Sequence, residues 1–117
     1  MTTFNCLAVV GSRGYQDMDE FKSVVDKYTV NSFVSGGCPS GADRLVEIYA
    51  KQKKIPITVI PAKWSEFGRA AGPIRNKEIV EIADGMIAFW DNESRGTKSS
   101  IDLAKKKGIP VIIINVN

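Results

Sequence analysis

The chain has 117 residues, 44% hydrophobic and 25% charged, with a formal net charge of +3 and no histidine. That length suits one compact domain over residues 1–117, and the composition is that of a globule rather than a disordered or fibrous chain. Lysine and arginine are scattered among the acids, so no run is basic enough for an extended nucleic acid.

The absence of histidine removes His-assisted nucleophiles and the commonest general base. Cys6 and Cys38 alone compose neither a zinc site nor a disulfide scaffold, so no metal ligand is expected. No apolar run approaches the length of a membrane span. The first residues lack a basic segment followed by a small-residue cleavage site, so a cytoplasmic protein with no membrane partner is expected.

In chain order, short β-rich apolar runs alternate with segments of helical period. Residues 5–11 (NCLAVVG) predict a strand, and 18–29 predict a helix with Phe21, Val24, Val25 and Tyr28 on one stripe. Residues 32–37 (SFVSGG) predict a second strand, and 42–54 a helix with Leu45, Ile48 and Tyr49 facing the core. A third strand is expected in 55–61 and a helix in 73–83, carried by Ile74, Ile79 and Ile82. Residues 85–90 (GMIAFW) and 109–116 (IPVIIINV) give the last strands, with a weakly striped helix between them ending in Lys105, Lys106 and Lys107. That lysine run reads as a solvated helix end that complements the dipole. The apolar runs are too continuous for half-exposed antiparallel strands, so each is expected to be buried on both faces. The pattern predicts a three-layer α/β domain, with a mainly parallel sheet of about five strands and right-handed crossovers.

Ligands of such sheets sit beyond the carboxyl ends of the strands, where the strand order reverses. The unusual residues collect in those loops: GSRGYQD, SGGCPSGAD, PAKWSEFGRAAG and WDNESRGTKSS. Gly36, Gly37 and Gly41 would permit positive φ and close backbone approach. Ser40 is placed to cap the next helix, with Asp43 three residues on in capping-box fashion, leaving backbone N–H groups toward the cleft. The alternative is a tight, capped turn with no ligand.

Gly96 and Thr97 repeat the pattern after the fourth strand, Gly96 freeing the backbone and Thr97 capping. Arg13 would flank the cleft, and Tyr15 could stack on a base or ribose. Arg75 and Asn76 are expected in the first turn of their helix, where arginine opposes the dipole; a surface salt bridge is the competing explanation for it. Trp64, Phe67 and Trp90 could bracket a nucleobase; Trp90 is placed to stack at a strand end, whereas a core or subunit-interface role suits Trp64 and Phe67 at least as well. Cys38, with no base to activate it, reads as an inert small side chain. Asp91 reads as a loop solubiliser or an acceptor for a ribose hydroxyl.

The motifs GSRGY, SGGCPSGADRLVEIYA, W-x-x-F-G-R-A-A-G-P-I-R-N, IAFWD, RGT and A-x-x-x-G-I-P-V, in this order along nearly the whole chain, resemble the YspA-like branch of the SLOG superfamily. The resemblance implies a Rossmann-like fold that binds nucleotides or nucleotide-derived ligands, with Gly36, Gly37, Gly41, Gly96 and Thr97 as phosphate cradle. It also implies that Arg75 matches the arginine which the related "lysine decarboxylase-like" phosphoribohydrolases carry ahead of their fourth strand. Those hydrolases place a glutamate shortly after Gly-Thr; here Lys98, Ser99 and Ser100 follow, and Asp102 comes later. An oxocarbenium-like transition state lacks its carboxylate there, although Asp43, Asp91 and Glu93 are possible substitutes.

The expected ligand-contacting set is therefore Gly11, Ser12, Arg13, Tyr15, Gly36, Gly37, Ser40, Gly41, Ala42, Asp43, Arg75, Asn76, Trp90, Asp91, Gly96 and Thr97, with no catalytic residue and no cofactor assigned. The expected function is capture of a nucleotide-derived small molecule, ADP-ribose-like, cyclic or another signalling nucleotide, for sensing or sequestration. The alternatives are a phosphoribohydrolase and an interaction protein with a vestigial cleft. Relatives of this superfamily commonly assemble, so a homo-oligomer, dimer or tetramer, is expected.

Overall fold

The computed structural model describes residues 2–116. Along it run β1 (Thr3–Phe4), β2 (Leu7–Gly11), α1 (Met18–Val25), β3 (Thr29–Val30), β4 (Phe33–Ser35), α2 (Gly41–Lys53), β5 (Ile57–Val59), α3 (Trp64–Phe67) and a 3₁₀ turn (Gly68–Ala70). They are followed by α4 (Ala71–Ile82), β6 (Gly85–Trp90), α5 (Arg95–Lys107) and β7 (Val111–Asn115). Five strands form an all-parallel sheet in the order β5-β4-β2-β6-β7, a single Rossmann-like α/β domain, while β1 and β3 pair separately.

Successive side chains of a strand point to opposite faces, and both faces of the central strands are covered. Leu7 and Val9 of β2, with Ile87 and Phe89 of β6, join Phe21, Val25, Val46 and Tyr49 beneath α1 and α2. Ala8 and Val10, with Met86 and Ala88, meet Ile79, Val80, Ile101 and Ala104 beneath α4 and α5. Each fully buried aromatic or large aliphatic chain here contributes about 1.5–3 kcal/mol of transfer free energy. The two central strands set this core, with Leu7 paired to Gly85 and Gly11 to Phe89.

The expectation of burial on both faces fails at the sheet's edges. β5 has half-buried Ile57 followed by exposed Thr58 and Val59, and β7 is half-buried along most of its length. An edge strand has a neighbour on one side only, so an apolar run there signals strand formation more reliably than burial. Ile82, placed on the core stripe by periodicity, is exposed at the last position of α4.

The lysine run is more than a solvated end. Lys107 Nζ donates to three carbonyls at the end of a different helix, those of Val80 (2.8 Å), Glu81 (2.8 Å) and Ala83 (3.0 Å). The final carbonyls of α4 lack intrahelical partners and carry its negative dipole end, so an ammonium there supplies donors and charge together. Lys107→Met is expected to lower unfolding free energy by about 1–2 kcal/mol. Lys105→Met, on the same exposed end, should change it by less than about 0.5 kcal/mol. Equal urea midpoints for the two variants would show that the clamp contributes nothing.

Candidate functional site

β2 leads into α1 on one face and β6 into α5 on the other, so the sheet divides between these neighbours. A cleft of about 300 Å³ opens there, at the carboxyl ends of β2, β4 and β6. Among the expected residues, Gly11, Arg13, Gly36, Asp43, Arg75, Asn76, Gly96 and Thr97 line it together. Cys38 does too, as do Val10, Ile79, Ser94 and Ser100, which sequence reasoning passed over.

The glycines are there because backbones meet. A side chain at Gly11 would lie 2.6 Å from Ala42 Cβ and 2.8 Å from Phe89 O, so β2, the start of α2 and the end of β6 touch at one point. Gly41, at φ +69°, packs against the Ser12 carbonyl and Arg13, and Gly37, at φ +74°, packs against Val59. Both need glycine for conformation as well as space. Gly36 does not have positive φ, contrary to expectation; its missing side chain is the bed on which the Arg75 guanidinium lies. Ala42 is wholly buried in the core.

Arg75 Nη1 donates to Gly36 O (2.9 Å) and Nε to Asn76 Oδ1 (2.9 Å), while Asn76 Nδ2 reaches Gly96 O (3.4 Å). The loop after β4, helix α4 and the start of α5 are thereby tied into one rim. α4 begins at Ala71, so Arg75 stands beyond its first turn and the dipole conflict does not arise. Its partners are an amide and a carbonyl; among the described residues no carboxylate pairs with it, and the ion pair they do form is Lys98–Asp102. Arg13 is exposed at the mouth and makes no hydrogen bond to the described residues.

Capping differs from the expectation at both helices. Ser40 is the N-cap of α2 but its side chain caps nothing, lying 3.8 Å from Cys38 Sγ. Asp43 reaches past the cap, Oδ2 accepting from the Cys38 N–H (3.0 Å). At α5 the N-cap is Ser94, whose Oγ accepts from Thr97 N (3.4 Å); Thr97 is the capped residue, buried inside the first turn. Gly96 is ordinary helix with open space where a side chain would go. Asp91 organises this entry, Oδ1 accepting from Glu93 N (2.9 Å) and Ser94 N (2.8 Å), and Ser12 Oγ accepts from Asp91 N (3.1 Å). The Ser94 and Glu93 N–H groups hold the Asp91 carboxyl below its ordinary value. The Asp-x-x-Ser spacing of Asp91 and Ser94 was the available signal for this turn.

Two of the expected aromatics stand outside the lining of this cleft. Tyr15 is 7% exposed, its ring stacked on Phe89 at 4.7 Å and its hydroxyl donating to Glu20 (2.7 Å). Burial and that carboxylate push its pKa upward. Trp90 Nε1 donates to Ser94 O (3.1 Å), and the indole packs on the α4/α5 side of the core outside the cleft lining. Trp64, by contrast, is 55% exposed, with its ring lying over Gly72.

The cleft thus gathers two guanidiniums, two helix N-termini and one carboxylate. Burial pushes the Asp43 carboxyl above its ordinary value of 3.8, against the opposing pull of the Cys38 N–H and the Arg75 guanidinium. In the turn after Thr97 no carboxylate lines the cleft: Lys98 and Asp102 pair on the exposed face of α5 at 2.9 Å, and Ser100 is buried at the cleft. Among the described residues no group of three or more metal-ligating side chains converges.

Fold and site define a small parallel α/β domain with a polar cleft at the reversal point of its sheet. The chain is 32% identical over 114 residues to the "Gene 61 protein" of Mycobacterium phage D29, spanning 89% of this chain and 91% of that one, and it belongs to the same family. No family model matches the chain, and no solved structure does.

Ser94→Ala should cost about 1 kcal/mol through the lost cap, whereas Ser40→Ala should cost less than about 0.5 kcal/mol. Chemical denaturation of both variants decides it, and the opposite ranking would overturn the assignment of the caps. Asp43→Asn can keep the acceptor for Cys38 N–H while removing the charge. Because the folded-state pKa is raised, the charged form's cost is absent below the ordinary value of 3.8 and fully present above the folded pKa. The variant should therefore melt higher than the parent at pH 7, and the gap should close as pH falls toward 4. A gap that widens with acid would reverse the sign assigned to Asp43.

Proposed function

We propose that the protein is a binding module of the YspA-like branch of the SLOG superfamily that captures a phosphate-bearing, nucleotide-derived small molecule. ADP-ribose-like, cyclic and other signalling nucleotides fit this class, for sensing or for sequestration. The observation that carries the reading is the uncapped start of α2 beside the cleft that α5 also enters, with Arg75 fixed between them. Free N–H groups at a helix start, the dipole and a guanidinium fork all favour an anion. Lys98 and the serines at the hydrolase-glutamate position favour capture over cleavage.

The hydrolase reading retains one support, the Asp43 carboxyl within the cleft. Among the described residues no helix is long and apolar enough to cross a membrane, in keeping with a cytoplasmic role. Exposed Val59 beside Gly37, exposed Trp64 over Gly72, and exposed Phe67 suit the expected homo-oligomer.

Nucleoside phosphates and ADP-ribose should raise the melting temperature while the matching nucleosides do not. A ligand at about 100-fold over its Kd stabilises by about 2.7 kcal/mol. Arg75→Ala should weaken binding per folded molecule by about 1.5–3 kcal/mol, measured by calorimetry well below its melting point. It should also lose some stability, since Arg75 holds Gly36 and Asn76. A flat response across nucleotides, ADP-ribose and cyclic signals would sink the reading, and multiple-turnover release of free base would move it to the hydrolase.

A further inference from the structure

An anion site has no evident use for a carboxylate, yet Asp43 stands in the cleft wall beside Arg75. One of its lone pairs is occupied by the Cys38 N–H at 3.0 Å. The others meet no donor in hydrogen-bond geometry among the described residues. The nearby Ser35 hydroxyl, fully buried, is close enough to favour the charged form but completes no hydrogen bond of good geometry. A carboxylate offers about four acceptor positions, so most of this one's capacity remains unused. Asp43 is half-buried in the cleft wall, so these remaining acceptors are left for what enters the cleft.

A second, ionised phosphate is a poor partner, because the carboxylate would repel it. A bound cation would face the Arg75 guanidinium, and among the described residues no group of three or more metal-ligating side chains converges. Neutral donors remain, and a vicinal pair of hydroxyls presents two at a spacing a carboxylate can accept. The cleft's 300 Å³ lies at the low end of ligand-site volumes, enough for one sugar-phosphate unit with anything larger projecting outward.

We propose that Asp43 reads the hydroxyls of a phosphorylated sugar, so that the cleft selects a ribose phosphate over a bare phosphate. This rests on the anion-cleft reading above. The phosphate takes the helix N-termini and Arg75; the sugar hydroxyls donate to Asp43. The carboxylate is then a selectivity element, repelling anions that bring no hydroxyls.

The test is calorimetric titration of the parent and Asp43→Asn with inorganic phosphate and with ribose 5-phosphate, alongside thermal melts that establish folding. The parent should prefer ribose 5-phosphate. In Asp43→Asn that preference should shrink about tenfold, the scale of exchanging charge-assisted for neutral hydrogen bonds, with phosphate binding unchanged or tighter. Asp43→Ala should abolish the preference. A parent that binds both probes equally, or an Asn variant that tightens both by the same factor, overturns the role of Asp43 and leaves the anion cleft standing. A parent that binds neither overturns both.

Discussion

The close approach of three backbones at Gly11 is the constraint on which the rest of the site depends. β2 ends there, β6 runs alongside, and α2 begins within contact of both, a meeting possible only because Gly11 and Gly41 carry no side chains and Ala42 carries a methyl. Interiors are close-packed, so a methylene inserted here could not be absorbed locally. From this contact α2 takes its starting position, and with it the loop that carries Gly36 and Cys38, and the first helical turn that carries Asp43, into the cleft. Arg75 then closes the rim by lying in the space that Gly36 leaves.

Much of the fold was legible because a buried parallel strand needs a continuous apolar run and a crossover helix needs a stripe. The interior strands at 7–11 and 85–90 followed directly. α3 and its 3₁₀ turn were not legible, being too short to show a period, and neither was the β1–β3 pair, with two residues to each strand. The glycines of the joint were recognisable by type, but composition could not separate their causes: Gly37 and Gly41 serve conformation, Gly11 and Gly36 serve approach, and Gly96 serves neither.

The misread polar and aromatic residues have a common physical origin. Ser40 and Thr97 each occupy a position where a cap is plausible by type, yet which of several neighbouring hydroxyls accepts is decided by the turn before it. At α5 Asp91 folds that turn and gives the cap to Ser94. Tyr15, in the loop after β2, and Trp90, the last residue of β6, occupy places where aromatics either stack on a ligand or seal the end of the core. The neighbours that decide the matter, Phe89 for Tyr15 and the Ser94 carbonyl for Trp90, lie elsewhere in the chain or beyond a turn. Arg75 was singled out by its place near a helix start and Asp43 by its capping-box spacing after Ser40; both line the cleft, although neither spacing states the role the residue has there.

The sheet's strand order also governs when this chain can fold. Leu7 pairs with Gly85 and Gly11 with Phe89, so the central strand β2 lacks one neighbour until the chain has been made past Trp90. Every pairing in the sheet is parallel, and no short hairpin can form ahead of the crossovers. Contacts this distant in sequence impose loop closure before they return any stabilisation, which slows folding. On the ribosome, β2 and β4 would therefore emerge with an open apolar edge and no α5 to cover Ala8 and Val10. The nascent chain is most exposed to aggregation and to chaperones over the interval in which residues 33–84 have appeared and β6 has not.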